Sequence, residues 1–494
     1  MSIESKHSFC YNTPMMKTMK KPFIWLCAIY ALSISAILRA NFNYIDDMGR
    51  VLTGSKGWSF YSRFLTDFLS NFVHADTYLA DISPLPQLLA AAIMAAAGVL
   101  ILHILADKDV SPFWGAVALI PLGLSPYFLQ CFSYKYDAPY MALSVLASVF
   151  PPLFYRKDKK YAIIYCLCAV ASTLIVCTTY QAASGIFPML CVSVALKMWN
   201  EKEKISNILI FAGLSALGYL VGLLIFRFFI VVPVDFYAST NIFSLSDMIP
   251  GVLNNLGTYF TVIIKDFRKI WLALILLECL LFIAANCFTT KRSRLSAIFI
   301  SMISIFLMAI FSFGAYIVLE KPLYDPRGMY GFGAFIAFIA VSILNCKNKI
   351  VINSARVVSF VLGWCFIVFA FNYGNALNEQ GKYTNDRITQ VVASLNALGV
   401  HSDSDIVIEI SGTEGYAPSI KNRPDDYRML QNLVPIAFSE DRSWGYTLLT
   451  DHYGFTNLVQ DPSISLKSMD LPVLVDTQLY TIQGEDIYYL ITLK

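Results

Sequence analysis

The chain has 494 residues, of which 57% are hydrophobic and only 14% are charged, and its formal net charge at pH 7 is +3. This composition is typical of an integral membrane protein and excludes a soluble globular one. The small net charge, with lysines and arginines confined to short clusters, also argues against a nucleic-acid-binding protein.

Apolar segments long enough to cross the roughly 30 Å hydrocarbon core of a bilayer recur along most of the chain. They cover residues 23–40, 84–105, 111–131, 138–154, 161–179, 184–199, 205–232, 270–288, 296–319, 329–346 and 352–372. The sequence therefore predicts a polytopic α-helical membrane protein with about 11 spans. Segments 138–154 and 184–199 are near the short limit, so about 9 spans plus one re-entrant pair is the alternative.

Basic residues concentrate in alternate connections between these segments, and this bias predicts the orientation of the chain. The N-terminal tail and the connections near residues 108, 156–160, 197–204, 291–294 and 347–356 carry most of the lysines and arginines. We therefore expect a cytoplasmic tail over residues 1–22, a transmembrane domain over 23–372, and a C-terminal domain over 373–494 outside the cytoplasm. The first apolar run has no small-residue cleavage site and is expected to be an uncleaved anchor.

The first outer loop, residues 41–83, begins with the adjacent carboxylates Asp46 and Asp47, followed by Arg50. Charges so close to the end of a spanning helix are costly unless they line a wet cleft, so they are functional candidates. Aromatic and apolar residues then recur at helical spacing over residues 58–72, which predicts an amphipathic helix at the membrane interface. The alternative for that helix is an aromatic belt that only anchors the loop.

Three further turns on the same predicted side carry polar side chains. The first contains Lys135, Tyr136 and Asp137, the second Tyr180 and Gln181, and the third Arg327, and the first outer loop adds Arg63. Lys135 and Asp137 form either a local ion pair of little energetic value or part of a cleft shared with Asp46 and Asp47. An aromatic ring and an amide, as at Tyr180 and Gln181, suit a sugar, and a guanidinium at the interface suits a phosphate.

Two regions outside the predicted spans are expected to fold differently from them. Residues 233–269 form a second long outer loop whose mixed content predicts interfacial helices. The C-terminal region reads as a small α/β domain, with helices over 384–398 and 423–433, a strand over 405–410, and a hairpin of strands 471–482 and 487–493 joined through Gly484.

Carboxylates, hydrogen-bonding groups and cations that converge at a lipid boundary suit a reaction on a lipid-linked phosphate. In the transfer of a sugar from a polyprenyl phosphate to a hydroxyl, cations neutralise the departing phosphate, and one carboxylate removes the proton of the acceptor. Adjacent residues are expected to point in different directions. One of Asp46 and Asp47 would therefore be the base, and the other would bind hydroxyls or, as an alternative, a divalent cation.

At these residues the chain resembles the bacterial type II glucosyltransferases that modify O-antigen, within the GT-C class of polytopic glycosyltransferases. The resemblance rests on Asp46-Asp47 with Arg50, Gly54, Trp58 and Arg63, on Asp81, Ser83, Pro84 and Pro86, on Lys135-Tyr136-Asp137, and on Tyr180-Gln181. It covers much of the membrane portion. The chain departs from the family where it has Ser62-Arg63-Phe64-Leu65 in place of a Gly-Arg-Pro-Leu run.

The resemblance implies a donor, an acceptor and a location. The donor would be undecaprenyl phosphate glucose, and the acceptor would be lipopolysaccharide O-antigen at the periplasmic face of the bacterial inner membrane. Transfer would invert the anomeric centre, with an aspartate as base. The implied partners are an enzyme that loads glucose onto the carrier and a small flippase.

Two other functions compete with this one. A transferase for a different polyprenyl-phosphate sugar would use the same residues. A transporter or flippase for a lipid-linked saccharide would show broken helices at the midplane and internal symmetry, whereas the polar groups here cluster at one face and no repeat is evident.

Overall fold

The computed structural model describes residues 15–107, 109–235, 238–422, 428–440, 444–455, 458–459 and 465–494. The described helices are α1 Met15–Ala40, α2 Asp47–Thr53, α3 Phe64–Val73, α4 Leu85–Leu105, α5 Pro112–Ala118, α6 Ile120–Leu124, α7 Pro126–Ser133, α8 Ala138–Val149, α9 Lys159–Thr179, α10 Ile186–Asn200, α11 Ile205–Ile225, α12 Met248–Asp266, α13 Lys269–Thr289, α14 Arg294–Phe311, α15 Pro326–Met329, α16 Gly331–Ile343, α17 Lys349–Ala397, α18 Pro418–Lys421, α19 Arg428–Leu433 and α20 Trp444–Tyr453. The strands are β1 Ile406–Ser411, β2 Leu458–Val459, β3 Val473–Asp476, β4 Tyr480–Glu485 and β5 Tyr488–Leu493.

Over these residues, 9 helices are long and apolar enough to cross a membrane, or up to 10 if one bent pair counts as a single span. The protein is therefore a polytopic helical membrane protein, and the figure of about 11 spans stays a prediction. The bent pair is α5–α6 with α7, which meet at 65°. Pro126 explains the break, because a proline disfavours helical geometry at the preceding residue, and Ser125 is extended with ψ 141°.

The short segments 138–154 and 184–199 are the ones that predict a re-entrant pair. In the structure, the bent pair of helices lies at residues 112–133 instead. Residues Gln181–Asn200 form one of the long apolar helical segments, whereas Ala138–Phe154 is a shorter apolar helix. α12, in the predicted second outer loop, is not one of the long apolar helices found in the described part of the chain.

α17 is a single helix of 49 residues, about 74 Å long at 1.5 Å per residue, and it runs through the boundary predicted at residue 372. The predicted helix 384–398 is its last part. One stripe stays buried on both sides of that boundary, and its members follow helical spacing. They include Phe366, Phe369 and Ala370 before the boundary and Tyr373, Leu377, Gln380, Thr384, Ile388, Val391 and Leu395 after it. The bundle and the C-terminal region are therefore joined by a continuous helix and not by a linker.

The C-terminal strands form one five-stranded sheet in the order β2-β1-β5-β4-β3. β1 is parallel to β2 and β5, and β4 is antiparallel to both β3 and β5. The predicted strand 405–410 corresponds to β1. The predicted single strand 471–482 is instead two strands, β3 and β4. They are separated by a turn in which the Thr477 amide donates to the Tyr480 carbonyl over 2.9 Å. Of the predicted helix 423–433, residues 423–427 lie outside the described residues and α19 begins at Arg428.

Two hydrophobic cores connect these parts. The sheet packs against the end of α17, and Met48 of α2, in the first outer loop, is buried in that same core. α18 and α19 belong to the other core, that of the helical bundle, through residues such as Ile420, Leu430 and Leu433. The C-terminal region is therefore seated on the end of the bundle that carries residues 41–83.

Candidate functional site

The predicted site residues come together at one end of the bundle. The first outer loop contributes three elements, which are α2, α3 and, between them, a short 3-10 helix over Trp58–Tyr61. The turn between α7 and α8 contributes Lys135 to Asp137, the residues after α9 contribute Tyr180 and Gln181, and α15 contributes Arg327. Contacts between these segments join residues far apart in the chain.

Asp137 lies at the centre of a buried cluster of cations. Its Oδ1 accepts hydrogen bonds from Trp58 Nε1 at 2.7 Å and from Arg63 Nη1 at 2.6 Å, and its Oδ2 is paired with Arg50 Nη1. Burial opposes ionisation of the carboxyl, but the two guanidinium groups outweigh it and lower its pKa. Both oxygens are occupied, so the geometry favours a role in holding Arg50 and Arg63, and the predicted catalytic role stays a prediction.

Asp47 is also fully buried. Its Oδ2 accepts the backbone N–H of Lys135 at 2.8 Å, and its Oδ1 lies 3.6 Å from Arg50 Nη1. Burial raises the pKa of Asp47 to about 8, although Arg50 acts in the opposite direction. Burial therefore favours the neutral form of this carboxyl, and its side chain has no access to solvent.

Asp46 points the other way. Its side chain is 50% exposed, and its Oδ2 lies 3.9 Å from Arg327 Nη1. Consecutive residues at the start of a helix project roughly 100° apart, which explains why one carboxylate enters the core while its neighbour reaches the surface. Of the two adjacent aspartates, only Asp46 is accessible to a substrate.

Arg327 is held from several sides. Its Nη1 donates to the hydroxyl of Tyr134 at 2.5 Å, and its Nη2 lies 3.9 Å from Asp325 Oδ2. Its backbone N–H donates to Gln130 Oε1 at 2.6 Å. The guanidinium is therefore fixed beside Asp46, with 12% of its side chain exposed.

Lys135 is oriented within the protein. Its Nζ donates to Asn43 Oδ1 at 2.7 Å and to Asp81 Oδ2 at 3.0 Å. Tyr136 is buried, and its ring stacks on His74 at a centroid distance of 5.7 Å. Both residues join the first loop to the α7–α8 turn, and their predicted roles in substrate binding stay predictions.

Tyr180 and Gln181 are packed against the same loop. The Tyr180 ring stacks on Tyr330 at 6.2 Å and lies 5.0 Å from the guanidinium of Arg63. Gln181 Nε2 donates to the carbonyl of Tyr61 at 3.1 Å. These contacts support the position of Arg63 and of the aromatic segment, and the predicted sugar contacts stay predictions.

Sequence reasoning missed Tyr44, Gln130 and Tyr134. Gln130 carried a usable signal, because an amide within the apolar run Tyr127 to Phe132 must find internal partners when the helix is buried. Tyr44 and Tyr134 carried none, since aromatic residues at membrane boundaries are common.

The residues present do not fit the alternative of a divalent cation beside Asp46 and Asp47. In the part of the chain that the structure describes, no three His, Cys, Asp or Glu side chains are grouped so that they could hold a metal ion. A cation of the protein itself, Arg327, lies beside Asp46 instead.

Comparison with known proteins places this site inside a family. The profile described as "Glucosyl transferase GtrII" matches residues 35–338, a range that contains every candidate site residue and ends before the C-terminal sheet. A protein of Salmonella phage P22, described as "Uncharacterized 55.3 kDa protein in gtrB 5'region", is 26% identical over 440 residues, which are 86% of this chain and 88% of that protein. No solved structure matches the chain. The resemblance inferred from the sequence is thereby confirmed, and the chain belongs to the GtrII glucosyl transferase family.

Proposed function

We propose that this protein transfers glucose from undecaprenyl phosphate glucose to O-antigen polysaccharide, with inversion of the anomeric centre and with Asp46 as the general base. One observation carries the proposal. Asp46 is the half-exposed member of the aspartate pair, and it lies 3.9 Å from a fixed guanidinium. A base for the acceptor and a cation for the phosphate are thus adjacent and open to substrate.

Two changes occur together in the reaction: the acceptor hydroxyl loses its proton, and the departing phosphate gains negative charge. The acceptor oxygen forms a bond to the anomeric carbon as the bond from that carbon to the phosphate oxygen breaks. Asp46 would take the proton from the acceptor hydroxyl, and Arg327 would stabilise the negative charge that the phosphate gains. Asp47 is fully buried and Asp137 is fully occupied by Trp58, Arg50 and Arg63, so Asp46 is favoured as the base over both.

The surface next to the site supports a lipid-linked donor. Phe64, Phe68 and Phe72 recur every four residues along α3 and are 42%, 55% and 69% exposed, and Phe60 just before it is 72% exposed. Such a row of exposed aromatic side chains is suited to the boundary between headgroups and acyl chains. A polyprenyl tail in the bilayer would bring its phosphate to the end of the bundle where Arg327 lies.

The setting of the reaction is part of the proposal. The N-terminus would lie in the cytoplasm of a bacterium, the protein would span the inner membrane as a GT-C transferase, and the site and the C-terminal domain would face the periplasm. A separate enzyme would load glucose onto the carrier on the cytoplasmic side, and a small flippase would deliver it.

The direct test is transfer by the purified full-length protein in lipid nanodiscs, with radiolabelled undecaprenyl phosphate glucose and O-antigen polysaccharide. Replacing a general base typically lowers the rate by about 10²- to 10⁴-fold, and we expect a loss of that order for Asp46→Asn. Asp235→Asn is the matched control, because the Asp235 side chain forms an exposed ion pair with Lys321, and the substitution should leave transfer unchanged. Full activity of Asp46→Asn would contradict the proposal.

The same assay separates the competing functions. A set of polyprenyl phosphate donors with other sugars identifies the donor, and preference for a sugar other than glucose would replace glucose in the proposal. Movement of the lipid across a vesicle membrane without any transfer to polysaccharide would instead favour a flippase.

A further inference from the structure

A buried chain of hydrogen bonds leads from the C-terminal region to Arg327. The hydroxyl of Tyr44 donates to the carbonyl of Leu433 at 2.6 Å, and Gln130 Nε2 donates to the Tyr44 oxygen at 3.1 Å. Gln130 Oε1 then accepts the backbone N–H of Arg327 at 2.6 Å. Tyr44 and Gln130 are 1% and 3% exposed. We call the set Leu433, Tyr44, Gln130 and Arg327 the hydrogen-bond chain.

Gln130 provides the hydrogen-bond acceptor that the start of α15 lacks. The first N–H groups of a helix have no acceptor within it, and here the residue before the helix, Asp325, makes no side-chain capping bond. Pro326 has no N–H, so the first donor that needs a partner is that of Arg327. Gln130 accepts it from a different helix, and the Asp325 carboxylate can then face the guanidinium of Arg327 at 3.9 Å.

Tyr44 supports the side chain of Arg327 as well as its backbone. The Tyr44 ring packs edge-on against the ring of Tyr134 at a centroid distance of 4.9 Å. The Tyr134 hydroxyl in turn accepts from Arg327 Nη1 at 2.5 Å. Loss of the Tyr44 hydroxyl alone leaves this ring contact intact, so the hydrogen-bond chain can be tested separately from packing.

The far end of the hydrogen-bond chain is fixed by the seating of α19 on the bundle. Leu433 is the last residue of α19, where carbonyl groups lack helical partners, and Tyr44 satisfies one of them. Asn432 Nδ2 donates to Asp266 Oδ1 at 2.7 Å, and Asp266 also accepts from the hydroxyl of Tyr127. Two neighbouring residues therefore position α19: Asn432 binds Asp266 of α12, and Leu433 binds Tyr44 of the first outer loop.

We propose that Tyr44 and Gln130 are positioning residues that couple the seating of α19 to the placement of Arg327, and so set the affinity of the site for the phosphate of the donor. The inference rests on the proposed function in one respect, namely that Arg327 binds that phosphate. The coupling itself is a property of the protein and can be measured without substrate.

The kinetic test compares Tyr44→Phe with Tyr30→Phe in the full-length protein. Tyr30 of α1 is also fully buried, and its hydroxyl also donates to a backbone carbonyl, that of Leu119 at 2.8 Å, but Leu119 is not part of the hydrogen-bond chain. A hydrogen bond contributes about 1 kcal/mol, so we expect Tyr44→Phe to raise the KM for undecaprenyl phosphate glucose by about fivefold. The KM for polysaccharide should stay unchanged, and Tyr30→Phe should leave both values unchanged.

A double-mutant cycle tests whether the effect acts through Arg327. If it does, Tyr44→Phe should change the donor KM in the wild-type background and have no further effect once Arg327→Ala is present. Equal effects in the two backgrounds would overturn the proposed coupling.

Hydrogen exchange measured by mass spectrometry tests the coupling without substrate. We expect the peptide that contains residues 325–330 to exchange faster in Tyr44→Phe and in Gln130→Met than in the wild type, and at the wild-type rate in Tyr30→Phe. Unchanged exchange in both Tyr44→Phe and Gln130→Met would overturn the coupling whatever the enzyme's donor. Absence of glucose transfer by the wild type with altered exchange in the variants would instead overturn only the proposed function.

Discussion

At the scale of single residues, the structure separates three carboxylates that look equivalent in the sequence. Asp46 reaches the surface beside Arg327, Asp47 is buried against the Lys135 amide, and Asp137 is enclosed by Arg50 and Arg63. Their chemical roles follow from these surroundings, because desolvation favours the neutral form of a carboxyl and nearby cations favour its ionised form.

The first prediction concerns Asp47 and pH. Its pKa rises from 3.8 to about 8 in the folded protein, so between these values the folded state holds a proton that the unfolded chain releases. The stability that this proton provides is complete below about pH 4 and is lost as the pH rises to about 8. Asp47→Asn cannot titrate. We therefore expect the melting temperature of the variant, relative to the wild type, to increase from pH 4 to pH 8 in detergent; a difference independent of pH would contradict this.

The second prediction concerns Asp137. Replacement by Asn removes the negative charge that Arg50 Nη1 and Arg63 Nη1 both contact, and leaves two buried cations without that partner. Removing one member of a buried ion pair typically costs about 3–5 kcal/mol, so Asp137→Asn should lower the melting temperature strongly. Asp235→Asn breaks an exposed pair and should leave the melting temperature almost unchanged. Equal melting temperatures for the two variants would refute a structural role for Asp137.

At the scale of elements, packing decided features that local sequence patterns left ambiguous. The hydropathy of residues 352–372 indicates a span, but only the stripe that continues from Tyr373 to Leu395 shows why the helix does not stop there. The apolar run over 471–482 suggests one strand. It forms two strands because, after the turn at Thr477, β4 folds back antiparallel on β3 and also pairs with β5. Strand pairing and helix burial depend on distant residues, so these errors were expected of a local reading.

The third prediction tests the packing of α17 on α1. A Cβ added at Gly374 would lie 2.4 Å from the backbone carbon of Ala36, whereas one at Gly381 would lie 3.2 Å from the Phe42 side chain. Helical propensity favours alanine at both positions by about 1 kcal/mol, but forcing two helix backbones apart costs about 1–3 kcal/mol. We expect thermal unfolding in detergent to show that Gly374→Ala destabilises the protein and that Gly381→Ala does not. Equal shifts in melting temperature for the two variants would show that α1 can move away from α17 at little cost.

At the scale of the whole molecule, the site exists because loops from several parts of the chain meet the C-terminal region at one end of the bundle. Leu433 is 389 residues from Tyr44, and Arg327 is 197 residues from Gln130. Met48 contributes to the core of the C-terminal sheet. This assembly implies that residues 41–83 and the sheet lie on the same side of the membrane.

The fourth prediction tests this arrangement by cysteine labelling in intact cells, in a background in which all 11 native cysteines are replaced by alanine. The exposed positions Ser55 and Ser402 belong to the site end of the bundle. We expect Ser55→Cys and Ser402→Cys to react with a membrane-impermeant thiol reagent added outside, once the outer membrane is made permeable.

The matched positions lie at the opposite end of the bundle. Lys202 and Ser293 are equally exposed but follow α10 and precede α14, so Lys202→Cys and Ser293→Cys should react only after the inner membrane is disrupted. Labelling of Ser55→Cys without Ser402→Cys, in intact inner membranes, would contradict the seating of the C-terminal region.

The sequence by itself determined the class of the protein, the positions of most long helices, the family, and the set of polar residues that meet at one end. These features are local: a spanning helix is recognisable from its own hydropathy, and charges at its ends can be read from the residues that follow it. The tertiary structure alone decided which aspartate is open, that Asp137 is enclosed, and that Tyr44 and Gln130 reach Arg327. Burial and hydrogen-bond partners are set by residues hundreds of positions apart, and those are brought together only when the bundle packs.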